Sequence, residues 1–168
     1  MLRFNSDHKF KIMQIADTQE IPAVSPDTLS LINNALDREK PDLVIFTGDQ
    51  IKGYSKKFKK DLAIIESTID ILVEPIAKRN IPFMVTYGNH DAQCGVDNRG
   101  QYKFYAKYDN FISGDLRNAD DVGTADIQIY SSTEDKPVFE LYIIDSHGKA
   151  KDGAGYAPVD KEQIGWYV

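Results

Sequence analysis

Four short apolar runs in this chain each empty into a small polar cluster, and this rhythm limits the possible folds more than any other feature. Phe10–Ala16 runs into Asp17-Thr18-Gln19, Asp42–Thr47 into Gly48-Asp49-Gln50, Ile81–Thr86 into Tyr87-Gly88-Asn89-His90-Asp91, and Val138–Ile144 into Asp145-Ser146-His147. Runs this short, rich in Val and Ile and bounded by turn residues, read as strands. Helical periods separate the first three. Ser25-Pro26 offers an N-cap with proline in the first turn, Leu29, Ile32, Ala35 and Leu36 follow at helical spacing, and the helix ends before Pro41. From Phe58 onward, Leu62, Ile65, Ile69, Leu72 and Ile76 build one apolar face over several turns, with Pro75 expected to end or bend the helix. The alternation predicts an α/β unit.

Beyond the third strand, Tyr102, Tyr105 and Tyr108 suggest a short helix with the tyrosines packed as a stripe, and 113–126 reads as a polar loop. Ile127–Tyr130 and Val138–Ile144 look like a β-hairpin. Asp160-Lys161-Glu162-Gln163 resembles a capping box, yet Val168 follows only five residues later. The expectation is one domain over 1–168, truncated at its C-terminus, with a frayed end as the plainer alternative. A 42% apolar share of 168 residues suffices for a real core, while a formal charge of −6 opposes general attraction to nucleic acid or anionic membrane. No apolar run approaches the roughly 20 residues that span a bilayer. The single Cys94 and a start without the apolar core of a signal peptide make the cytoplasm the default, although a signal peptide already removed would leave no trace.

In α/β proteins the carboxyl ends of adjacent strands form the crevice in which ligands bind, so the repeated layout predicts one site. Each cluster alone is equally well explained as turn chemistry. Together they suit two divalent cations about 3.5–4 Å apart, which can hold both the attacking and the leaving oxygen of a phosphoryl displacement. Carboxylates and amide oxygens fit Mg²⁺ or Mn²⁺, and added imidazoles extend the range to Fe or Zn. Asn89 binds through oxygen without adding negative charge, which leaves room for an anionic substrate.

The order Asp17-x, Gly48-Asp49, Gly88-Asn89-His90-Asp91 resembles the calcineurin-like metallophosphoesterase superfamily. Phe10-Lys-Ile-Met-Gln-Ile-Ala-Asp17, Thr47-Gly-Asp-Gln50 and Leu141-Tyr-Ile-Ile-Asp-Ser146 are similar to its purple-acid-phosphatase-like, Dcr2-type branch, over nearly the whole chain. The resemblance implies an α/β sandwich of two β-sheets flanked by helices, the later strands lacking here. It also implies that Asp17 is a ligand of the first metal, Asp49 the bridging ligand and Asn89 a ligand of the second. His90 would sit over the substrate phosphate, with Asp91 a candidate orienter of its ring. Gln19 stands where the family has histidine; it could be a ligand, hydrogen-bond to one, or contribute nothing. The family's later histidine ligands do not occur before Val168.

These residues lead to the expectation of a phosphate ester hydrolysed by water that two metals activate, with the 168-residue chain alone inactive. The rival is a non-catalytic module with weakened metal binding; a nucleic-acid phosphodiesterase is less favoured by the acidic balance. His147 is expected on the substrate side of the crevice or in support of it, or as a plain loop residue. His8 carries no assignment. The basic run Lys56–Lys60 reads as a solvated face.

Overall fold

The computed structural model describes residues 1–150, 153 and 155–168. Its elements are β1 (Leu2–Arg3), β2 (Ile12–Ile15), α1 (Pro26–Glu39), β3 (Leu43–Thr47), α2 (Leu62–Ala77), β4 (Phe83–Thr86) and α3 (Asn98–Ala106). There follow β5 (Asp115–Leu116), β6 (Ala125–Tyr130), β7 (Pro137–Ile143) and α4 (Lys161–Tyr167). α1 starts where Ser25 Oγ accepts the Asp27 N–H and Pro26 occupies the first turn; α2 starts where the Asp61 carboxylate accepts from Ala63 and Ile64. Proline does not stop α2 at once: the helix runs two residues past Pro75 to Ala77, and Arg79 Nη1 donates to the Pro75 carbonyl at 2.7 Å.

β2, β3 and β4 form a parallel sheet in that order, Met13 beside Val44 and Val44 beside Phe83, with α1 and α2 as the crossovers that parallel neighbours need. A second sheet is built around β6, which pairs parallel with β1 and antiparallel with β5 and β7. The two-residue period of a strand then divides the core. Val44, Phe46, Phe83 and Val85 face the apolar sides of α1, α2 and α3, against Leu36, Ile65, Ile69, Leu72, Ile76 and Tyr105. Leu43, Ile45 and Met84 point the other way and meet Leu2, Ala125, Ile129 and Ile143 of the second sheet. β3 is buried on both faces, as its unbroken apolar run requires. Each such fully buried Ile or Leu stabilises by roughly 1.5–3 kcal/mol, an upper figure because unfolded chains already shield some apolar surface.

The layers are therefore three helices, a parallel sheet, a second sheet, and α4 outside it, where Tyr142 packs on Trp166 and Tyr167 at ring distances of 5.4 and 4.9 Å. This is the two-sheet sandwich with flanking helices. The stretch expected as a loop over 113–126 instead holds β5 and the start of β6, with Asp115 opposite Asp126 and Leu116 opposite Ala125. Ladder bonds and the packing of Leu116 and Ala125 outweigh the poor strand propensity of aspartate. β2 closes one side of the parallel sheet, with Ile12 38% exposed and Gln14 also exposed. Among the described residues no helix is long and apolar enough to cross a membrane.

Candidate functional site

β2 and β3 leave the sheet in step. Their pairing continues beyond the strands: Asp17 N–H donates to Gly48 O at 3.0 Å, Gln19 N–H to Asp49 O at 2.9 Å and Glu20 N–H to Gln50 O at 3.1 Å. Asp17 and Asp49 both adopt left-handed backbone, with φ of 54°, which aspartate visits more readily than most residues. The same break on neighbouring strands sets the two residues side by side at one end of the sheet. Asp17 is exposed, whereas Asp49 is buried.

The turn after β4 closes onto Asp49. A Cβ on Gly48 would lie 2.7 Å from Gly88 Cα, and one on Gly88 would overlap the Asp49 carboxylate and lie 2.6 Å from its nitrogen. Only glycine permits this approach. It brings the His90 N–H to 2.8 Å from Asp49 Oδ1, where it donates, while Oδ2 has no donor among the described residues. Asp17, Gln19, Asp49, Asn89 and His90 thus occupy adjoining, hydrogen-bonded turns.

Asp91 is placed differently from the expectation that it orients the His90 ring. Its carboxylate is 1% exposed; Oδ2 accepts the N–H groups of Asp49 at 2.7 Å and Gly88 at 2.8 Å, and Oδ1 accepts that of Ile51 at 3.3 Å. Burial pushes this carboxyl up to about 6, those three N–H groups oppose the rise, and the nearby Asp49 charge adds to it. Asp91 therefore ties the turn after β4 to the turn after β3 through backbone. The His90 ring meets Gln93 instead, with Nδ1 and Oε1 3.1 Å apart, and Tyr54, whose ring centre lies 4.7 Å away at a tilt of 59°. Lys52 Nζ covers the Tyr54 ring at 5.2 Å. Gln93, Tyr54 and Lys52 escaped the sequence reading; the one available signal was the three-residue step from His90 to Gln93.

Asn89 lines a cleft of about 500 Å³ together with Gln93, Asn98, Arg99 and His147. His147 adopts left-handed backbone (φ 68°), donates its N–H to Asp145 Oδ1 at 2.8 Å, and brings Nε2 to 3.5 Å from Asp160 Oδ2. Asp145 is buried behind the cleft, where desolvation raises its pKa against the hydrogen bonds from the His147 backbone and Asn98. Ligand-type atoms of Asp121, Asp145 and His147 lie within 4.8 Å of one another. Protein donors meet one oxygen of each of these carboxylates: Arg117 Nε sits 2.7 Å from Asp121 Oδ2, and Asn98 Nδ2 2.7 Å from Asp145 Oδ2. His8 lies away from the site, beside Ser132 at 3.1 Å. The lysines of the run 56–60 are exposed around a buried Phe58, and Tyr102, Tyr105 and Tyr108 pack against Phe111, Phe46 and Phe83.

The model of the family described as calcineurin-like phosphoesterase matches residues 10–166. Phosphatase DCR2 of Saccharomyces cerevisiae is 33% identical over a region covering 95% of this chain and 30% of the yeast protein. An Arabidopsis thaliana protein named Probable inactive purple acid phosphatase 14 is 28% identical, covering 99% of this chain and 47% of its own length. The chain thus spans about half or less of the relatives it matches. A crystal structure of a dimetal phosphatase from Danio rerio shares the fold at a TM-score of 0.56 and 15% identity, over 94% of this chain and 50% of that one.

Proposed function

The chain belongs to the calcineurin-like phosphoesterase family, and from that premise we propose that it forms part of a two-metal phosphatase site acting on a phosphate ester. The observation that carries the reading is the hydrogen-bonded join of three strand ends, Asp17 to Gly48 and Asp49 to His90, which unites carboxylates, an amide and an imidazole at one end of the parallel sheet. The donor set fits hard divalent cations: among the described residues Asp49 keeps one oxygen free of protein donors, Asp17 is open to solvent, and Asn89 faces the cleft. Asp17, Asp49 and Asn89 would hold the cations, with the Gln19 amide contributing beside Asp17. When bound, the pair supplies Lewis-acid activation of water and neutralises charge on the phosphoryl oxygens. The remaining tasks fall to the chain. Asp91 keeps Asp49 and Gly88 in register through their N–H groups, and His90 offers a ring nitrogen to the phosphoryl group or leaving oxygen. The cleft beside Asn89 receives the rest of the ester.

Calorimetric titration with Mn²⁺, paired with release of alcohol from an aryl phosphate, tests the proposal. Binding by the chain that Asp49→Ala abolishes, with turnover in a form extended to the length of its relatives and little in the 168 residues alone, is the expected result. An absence of both binding and turnover in the extended form sinks it in favour of the second reading, a non-catalytic module. That reading is favoured by Gln19 and by relatives named as inactive.

A further inference from the structure

We infer that Gln93 fixes the tautomer and the tilt of the His90 ring, so that Nε2 is the ring nitrogen presented to substrate; the substrate side of this statement rests on the proposed phosphatase reading. The argument begins with the two ends of one amide. Gln93 Nε2 lies 3.1 Å from the Asn89 carbonyl oxygen, and Gln93 Oε1 lies 3.1 Å from His90 Nδ1. A carbonyl oxygen only accepts, so the end of the amide facing Asn89 is its NH₂ group. The reversed amide would set two oxygens against each other. The end facing His90 is then an oxygen, which also only accepts, and Nδ1 must carry the hydrogen. In the neutral ring this leaves the lone pair on Nε2, and in the charged ring it leaves an Nε2–H directed away from Gln93.

The backbone explains why residue 93 can do this. Asp91–Cys94 forms a 3-10 turn with His90 at its N-cap position, and the Gln93 N–H donates to the His90 carbonyl at 3.1 Å. Residues three apart are eclipsed in such a turn, so the Gln93 side chain lies over that of His90. The turn is itself pinned, because the buried Gln101 Nε2 donates to the Asp91 carbonyl at 2.8 Å. Tyr54 braces the ring from another side, its centroid 4.7 Å away. Gln93 is a positioning residue for His90, and it also holds the carbonyl of Asn89, the neighbour proposed to face the cation.

Two-bond ¹H–¹⁵N correlation of the histidine rings tests this on the chain as it stands, at about pH 8.5, well above the ordinary histidine value near 6.5. The expected result is an Nδ1–H tautomer for His90. Gln93→Met should shift the ring to the Nε2–H form or a mixture, while Gln93→Glu, which keeps an acceptor toward the ring, should restore Nδ1–H. Unchanged backbone amide resonances for Asp49 and Gln101 verify that the variants stay folded. An Nε2–H tautomer in the unaltered chain, or the same tautomer in folded Gln93→Met, overturns the inference. The readout needs neither metal nor turnover. A protein with the expected tautomer and no turnover in any form would therefore overturn the phosphatase reading alone.

Discussion

At the scale of the residue, the site depends as much on what a side chain leaves alone as on what it binds. Asp91 accepts three backbone N–H groups and, among the described residues, makes no hydrogen bond to the His90 ring, so Asp91→Ala strips the N–H groups of Asp49 and Gly88 of their acceptor. Hydrogen bonds to charged groups are worth about 1.5–3 kcal/mol, and a loss of about 3 kcal/mol in urea unfolding is expected. Gly88→Ala pushes a methyl into the Asp49 carboxylate; a cost of about 2–3 kcal/mol is expected, together with weaker Mn²⁺ uptake in calorimetry. Under the proposed function, His90→Asn should lower turnover of an aryl phosphate by about 10²–10⁴-fold while leaving metal content unchanged. That Asp17, Asp49, Asn89 and His90 would gather at one end of a sheet was legible because each follows an apolar run. The role of Asp91 was not legible, since its partners are peptide N–H groups that every residue but proline carries. Tyr54 was hidden for another reason: it reaches His90 through the loop after β3, where a Cβ on Gly53 would lie 2.9 Å from the Asp91 carbonyl.

Among the elements, β3, α2 and β4 could be read closely, because an unbroken apolar run and a long helical stripe each admit one period. β5 could not, because two residues carry no period, and their pairing is decided by Ala125 and Leu116 reaching the second core. That pairing sets Asp115 opposite Asp126, with Glu140 near by, and desolvation followed by the Glu140 hydrogen bond raises the Asp126 pKa above 3.8. A carboxyl with a raised folded pKa binds more protons in the folded than in the unfolded state, so its contribution is present below 3.8 and is lost as pH rises through the folded value. Asp126→Asn should accordingly raise thermal stability at neutral pH by about 0.5 kcal/mol, with the gain fading toward pH 4 in a series of melts. α4 is held by its capping box and by Gln163, which is 0% exposed and donates to Asp145 O at 2.6 Å and Thr124 Oγ1 at 3.0 Å. Gln163→Leu leaves the buried Asp145 carbonyl without that donor, while Thr124 Oγ1 keeps the Asp145 N–H at 3.1 Å. A loss of about 2 kcal/mol and faster amide exchange confined to α4 and the end of β7 are expected.

Across the whole molecule, the sandwich arises because β3 and β4 alternate their side chains between two apolar clusters, one beneath the helices and one beneath the second sheet. The α/β class followed from the alternation of strands and helices, and the two-sheet sandwich from the family resemblance. The partition of strands between the sheets did not, because β1 joins β6 across more than a hundred residues, and no local pattern records such a pairing. β2 is an edge of the parallel sheet: β3 borders it on one side, and Ile12 and Gln14 lie open on one face. A free strand margin carries a row of unspent amide and carbonyl groups that another polypeptide can continue. For the isolated chain this is a colloidal property, expressed as light scattering that grows with protein concentration and time. A charge introduced at that margin, Ile12→Lys, should delay the onset of turbidity at a cost of no more than about 1 kcal/mol in stability. The edge strand that leads into Asp17 thus bears on how the isolated chain behaves in bulk solution.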